Sequence, residues 1–186
     1  PGMRNLRREI SKYYEREYQV SLDSEAEVMC TIGSKEGISH LCLALIGPGD
    51  TVLVPAPAFP IHIYAAIIAG GNVIRIPLTP EDEFLGRIAH LCESLLPAPK
   101  VLVVNYPHNP TSVVATTGLF EDLVKLARKY QFMVIHDFAY AKITFDGYVA
   151  PSFMQIPGAG DVAVEFGSFS KSYNMAGWRI GYCVGN

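Results

Sequence analysis

The chain has 186 residues, 49% of them hydrophobic and 18% charged, with a formal net charge of −3. That length and apolar content fit one globular domain with a sizeable core and exclude a disordered chain. A slightly acidic chain has no basic field to draw nucleic acid or anionic membrane, and no apolar run reaches membrane-spanning length.

Residues 4–17 predict an amphipathic helix, with Leu6, Ile10, Tyr13 and Tyr14 near helical spacing. Its Arg4, Arg7, Arg8 and Lys12 are balanced by Glu9, Glu15 and Glu17, which reads as a solvated face. Val28–Thr31 is a short strand that runs through Gly33-Ser34-Lys35-Glu36-Gly37 into an apolar helix reaching Ile46. Gly47-Pro48-Gly49-Asp50 ends that helix. Thr51–Val54 is a second strand, followed by a stiff turn over Pro55–Pro60 and a helix to Ala69. Val73–Ile76 is a third strand. Residues 84–96 predict a helix with Leu85, Ile88, Leu91 and Leu95 on one face. Lys100–Val104 is a fourth strand, 118–130 another amphipathic helix and Phe132–Ile135 a fifth strand. Residues 145–160 read as a loop rich in Pro and Gly, before strands at Val162–Phe166 and Ile180–Val184.

These strands are continuous apolar runs, which predicts burial on both faces and a mostly parallel sheet. Strands alternating with helices give a three-layer α/β/α fold with a seven-stranded sheet. The seventh strand follows the sixth after only a short segment and is expected to run antiparallel. The cysteines, Cys30, Cys42, Cys92 and Cys183, are scattered and form no Cys-x-x-Cys pair, so they read as reduced thiols of a cytoplasmic protein.

In open α/β sheets, ligands bind beyond the carboxyl ends of the strands. Gly33–Gly37 opens a helix there, and free backbone N–H groups with the helix dipole suit an anion, where an ordinary strand-to-helix turn is the alternative. Phe59 follows the second strand, where core packing is the alternative. Asn109-Pro110-Thr111 follows the fourth strand, where Asn-Pro alone marks only a turn. Asp137 and Tyr140 follow the fifth, where an acid also serves as a helix cap. After the sixth strand comes Lys171, flanked by Ser170 and Ser172, with Ser168 before it and Arg179 beyond, where a solvated surface charge is the alternative. A lysine near the core has its ammonium form disfavoured by desolvation, which suits it to condense with an aldehyde and carry a proton. Serine hydroxyls and a guanidinium suit a phosphate. Together the strand ends assemble an anion cradle, an aromatic ring, an amide, an acid, a phenol and an amine on one sheet edge, and that set suggests pyridoxal phosphate (PLP).

The pattern Ser-x-Ser-Lys-x-x-x-x-x-Gly-x-Arg-x-Gly over 168–181 resembles the lysine region of the fold-type I PLP-dependent aminotransferases. Asn109-Pro110-Thr111 and Asp137-Phe138-Ala139-Tyr140 stand in that family's order, and the resemblance covers nearly the whole chain. Thr31–Gly37, Pro60–Tyr64 and Lys171–Arg179 look like the alanine-synthesising glutamate–pyruvate branch, near the diaminopimelate aminotransferases.

The resemblance implies roles. Lys171 would bond to the cofactor aldehyde and act as the general base. Asp137 would pair with the pyridine nitrogen. Tyr140 and Asn109 would hold the ring's phenolic oxygen, and Phe59 would stack on the ring. The amides of Ser34, Lys35 and Glu36, with Ser168, Ser170 and Arg179, would hold the phosphate. It implies a cis Asn109–Pro110 peptide, amino-acid and 2-oxo-acid substrates, and a homodimer. It also implies that residues 1–186 are one large PLP-binding domain, a fragment without the family's N-terminal arm and C-terminal small domain. Ser112 stands where many relatives carry glycine.

His40, His62, His90, His108 and His136 show no His-x-x-x-His spacing, so they read as core or surface residues and no metal site is expected. His136, beside Asp137, reads as a satisfied structural histidine, with a supporting role behind the site as the alternative. Two other functions fit the same residues: a PLP-dependent carbon–sulfur β-lyase, and a non-enzymatic aminotransferase-like domain of a regulator. The second needs a DNA-binding module, and this sequence shows none.

Overall fold

A computed structural model describes residues 1–186. Seven strands form one sheet: β1 (Val28–Thr31), β2 (Thr51–Ala56), β3 (Asn72–Pro77), β4 (Val101–Asn105), β5 (Met133–Asp137), β6 (Ala163–Ser168) and β7 (Gly181–Gly185). Their order is β1-β7-β6-β5-β4-β2-β3. β7 pairs antiparallel with both β1 and β6, and the remaining pairs are parallel. Six strands therefore end on one sheet edge, and β7 begins there.

The helices are α1 (Arg4–Tyr18), α2 (Ser34–Leu45), α3 (Pro60–Ile68), α4 (Glu81–Ser94), α5 (Thr117–Tyr130) and the short α6 (Phe169–Ser172). Two apolar cores cover the two sheet faces. One gathers Ile10 and Tyr14 of α1, Ile88 of α4 and Phe120 of α5. The other gathers Ile38 and Cys42 of α2 and Ala65 and Ala66 of α3. The expected α/β/α layering and mostly parallel sheet are present.

Four local expectations change. β2 continues through Pro55, because its ladder to β4 involves only Val52 and Leu53, so the N–H that proline lacks has no partner to lose. α4 starts at Glu81, ahead of its apolar periodicity: Glu81, Asp82 and Glu83 occupy the first turn, where the helix dipole favours negative charge. β3 is an edge strand with only Ile76 buried, so its apolar run does not reflect burial on both faces. Within 145–160, Phe153–Gln155 and Ala159–Asp161 form single 3₁₀ turns, the first closed by a capping box between Ser152 and Gln155.

Candidate active site

The strand ends and the helices they launch surround a cleft of about 230 Å³. Ser34, Lys35, Phe59, Asn109, Asp137, Tyr140, Ser168, Ser170, Lys171 and Arg179 all line it. Glu36 does not. Its carboxylate turns back to accept from the Ile32 N–H at 3.0 Å and to meet His40 Nδ1 at 2.6 Å.

One end of the cleft is built for an anion. No side chain caps the first turn of α2, so its N–H groups stay available. Arg179 folds over this turn. A Cβ on Gly33 would lie 2.4 Å from Arg179 Nη2, and one on Gly181 would lie 2.6 Å from Ser34 N. Only glycine allows that approach, and Gly33 is also held at φ 80°, ψ 155°. Arg179 Nη1 donates to Ser170 Oγ at 3.3 Å and to the Ala176 carbonyl at 3.1 Å, which aims the guanidinium. Ser168 Oγ caps α6 by accepting from Ser170 N at 3.2 Å.

The other end positions an acid. Asp137 closes β5 and is buried. Its Oδ2 lies 2.9 Å from His62 Nε2, and its Oδ1 accepts from Ala139 N at 3.3 Å. Phe59, at the start of α3, meets the edge of His62, and Lys35 Nζ stands 5.0 Å from the Phe59 ring centre. Asn109 Nδ2 reaches Tyr140 Oη at 3.4 Å. The Asn109–Pro110 peptide is cis.

Lys171 departs from the sequence expectation. It is exposed, on the four-residue α6 that follows β6, rather than held in the core.

Two residues that shape the cleft had no role read from sequence. His62 is buried, and its signal in the sequence is the three-residue spacing from Phe59, which puts both on one side of the first turn of α3. Asn105 ends β4 and is buried. Its Nδ2 donates to the Asp137 carbonyl at 2.7 Å and its Oδ1 accepts from Asn109 N at 2.8 Å. It ties the asparagine loop to the acid. His136 has both ring nitrogens partnered inside the core, as a satisfied histidine should. No three His, Cys, Asp or Glu side chains are grouped to hold a metal ion.

The family model for aminotransferases of class I and II matches residues 1–186. This chain belongs to that family. It is 51% identical over 185 residues to the glutamate-pyruvate aminotransferase AlaC of Escherichia coli (strain K12), a match covering 100% of this chain and 45% of that protein. It is 44% identical over 185 residues to an LL-diaminopimelate aminotransferase of Syntrophobacter fumaroxidans, covering 100% of this chain and 48% of that protein. Substrate-bound BacF from Bacillus subtilis superposes with a TM-score of 0.93 at 36% identity, covering 100% of this chain and 47% of that one. The chain spans about half the length of the relatives it matches.

This aminotransferase family depends on pyridoxal 5′-phosphate. The donor set fits that cofactor: a helix N-terminus, two hydroxyls and a guanidinium for the phosphate, an acid at the far end, an aromatic wall and an amine at the mouth.

Proposed function

We propose that the protein carrying this chain is a PLP-dependent aminotransferase, moving an amino group between an amino acid and a 2-oxo acid. The observation that carries this reading is the convergence of Lys171, Asp137, Asn109, Tyr140 and the Arg179–α2 cradle on one cleft. When bound, the cofactor supplies an aldehyde for the amino group and an electron-withdrawing ring.

The chain's own residues do the rest. Lys171 Nζ is the amine that would hold the cofactor's aldehyde, and as a free amine it would take the Cα proton of the amino acid. Asp137 would hold a proton at the ring nitrogen, its carboxylate fixed by His62 through Oδ2. Asn109 and Tyr140 would hold the ring oxygen, Phe59 would face the ring, and the amides of Ser34, Lys35 and Glu36 would join Ser168, Ser170 and Arg179 on the phosphate.

The substrate pair we propose is alanine/pyruvate with glutamate/2-oxoglutarate, supported by the higher identity to AlaC. Residues 1–186 would serve as the large cofactor-binding domain of a homodimer. Exposed Leu43 on α2 and Tyr64, Ile67 and Ile68 on α3 support a covered face. Four free cysteines support a cytoplasmic setting, and no helix is long and apolar enough to cross a membrane. The test is amino transfer to 2-oxoglutarate, with alanine and LL-diaminopimelate compared as donors. Faster transfer from alanine agrees with the proposal. Faster transfer from diaminopimelate overturns the substrate pair, and none from any amino acid overturns the reaction.

A further inference from the structure

Behind the cleft, on the sheet face opposite His62, lies a second buried acid that the reaction does not use. Glu165 of β6 is fully buried and pairs in register with His136 of β5. Its carboxyl group makes four hydrogen bonds, three of them accepted from fixed donors. Oε1 receives Tyr14 Oη at 2.6 Å and Ser152 Oγ at 2.7 Å, and Oε2 receives Phe153 N at 2.6 Å and faces His136 Nδ1 at 2.8 Å. Ser152 Oγ already accepts from Met154 N, so its hydroxyl proton is free to go to Glu165. Burial, then Glu165 itself, push the Tyr14 phenol well up, so Tyr14 also stays a donor.

His136 meets only acceptors. Its Nδ1 faces the carboxylate, and its Nε2 faces the Tyr106 carbonyl at 3.1 Å. The ring is itself fully buried and stands against Phe120, Phe138 and Phe153, so no other partner offers itself. A carbonyl cannot donate, so Nε2 must carry a proton. A second proton must lie between Nδ1 and Oε2. The pair therefore holds two protons on the imidazole–carboxylate unit, which is neutral as a whole.

We infer that His136 and Glu165 are positioning residues for the cleft, acting through this fixed proton count. Tyr106 begins the loop that carries Asn109, His136 precedes Asp137, and Glu165 lies three residues before Ser168. One buried unit thus fixes the relative placement of three site segments, and Tyr14 and Ser152 tie it to α1 and the 3₁₀ turn. Glu165→Gln keeps the shape but cannot keep the bonds. With its amide nitrogen toward Oε1, the ring must give Nδ1–H to the Gln oxygen, and a neutral ring then turns a lone pair to the Tyr106 carbonyl. With the nitrogen toward Oε2, it meets the Phe153 N–H donor to donor.

The experiment compares Glu165→Gln with Tyr14→Phe, which also removes a hydroxyl–carboxylate bond but leaves the proton count intact. The first readout needs no cofactor. In the parent protein, ¹⁵N-histidine NMR should show a protected Nε2–H on His136 and a second proton in the Nδ1···Oε2 bond, and both should persist in Tyr14→Phe. A parent His136 whose Nε2 carries no proton overturns the inference. The second readout rests on the proposed PLP reading: Glu165→Gln should bind PLP about tenfold more weakly, with a shifted visible absorption band, and Tyr14→Phe should match the parent in both. Equal loss in the two variants would mean a packing role and would overturn positioning. If the parent binds no PLP, the proposed function fails, while the NMR result still decides the proton count. If Glu165→Gln does not fold, His136→Gln, which keeps one amide donor, takes its place in both comparisons.

Discussion

Gly33→Ala isolates the anion cradle. The new Cβ would sit 2.4 Å from Arg179 Nη2, whereas ordinary contact begins at 3.4 Å, so the guanidinium must retreat by about 1 Å (3.4 − 2.4). A hydrogen bond stretched by that much is lost. One charge-assisted bond is worth about 1.5–3 kcal/mol, so PLP affinity should fall about 10- to 100-fold. The backbone adds a separate cost. At φ 80°, ψ 155°, alanine is strained by about 1–3 kcal/mol, which should appear as lost stability. The two effects separate by assay. Urea unfolding reads the strain, and titration with PLP beside pyridoxal, which lacks the phosphate, reads the cradle. PLP binding should weaken while pyridoxal binding holds. Unchanged PLP affinity, or equal loss for both ligands, would refute the assignment of the phosphate to Arg179 and the start of α2.

Gly86→Ala is the converse case: Gly86 is exposed mid-way along α4 with open space around its Cα, so alanine should raise stability by about 0.5–1 kcal/mol in the same urea assay. Asp137→Asn should leave PLP bound but lower kcat by about a hundredfold or more, as loss of a preorganised charge does; unchanged turnover would remove Asp137 from the chemistry. Burial first, then neighbouring His62, hold the His108 imidazole below its ordinary value of 6.5. A depressed folded-state value means stability that is full above pH 6.5 and is lost as pH falls through the lowered value, so His108→Asn should flatten the acid side of a Tm–pH curve.

Much of the sheet was legible because its signals are local. The apolar runs of β4, β5 and β6 are buried along nearly their whole length, and each is followed by the residue that lines the cleft. The antiparallel β7 followed from the short link between Ser168 and Gly181. What stayed hidden depends on tertiary contact. Glu165 lies inside the apolar strand Val162–Phe166, and nothing in its neighbours announces four partners converging from α1, β5 and the 3₁₀ turn. His62 gains meaning only when the fold brings it to Asp137, 75 residues away in the chain. Proximity to a strand end does not give depth: α6 packs Phe169 against the core and leaves Lys171 exposed.

The central claim is that Lys171 is the amine that takes the cofactor. Lys35 is the other amine lining the cleft, at the anion end beside Phe59, so the two are distinguishable. The direct measurement is borohydride reduction of the PLP-loaded protein, followed by peptide mass mapping of parent and Lys171→Ala. One covalent adduct is expected, on the peptide containing Lys171, and none in the variant. An adduct on Lys35 in the parent, or one that survives in Lys171→Ala, would contradict the claim.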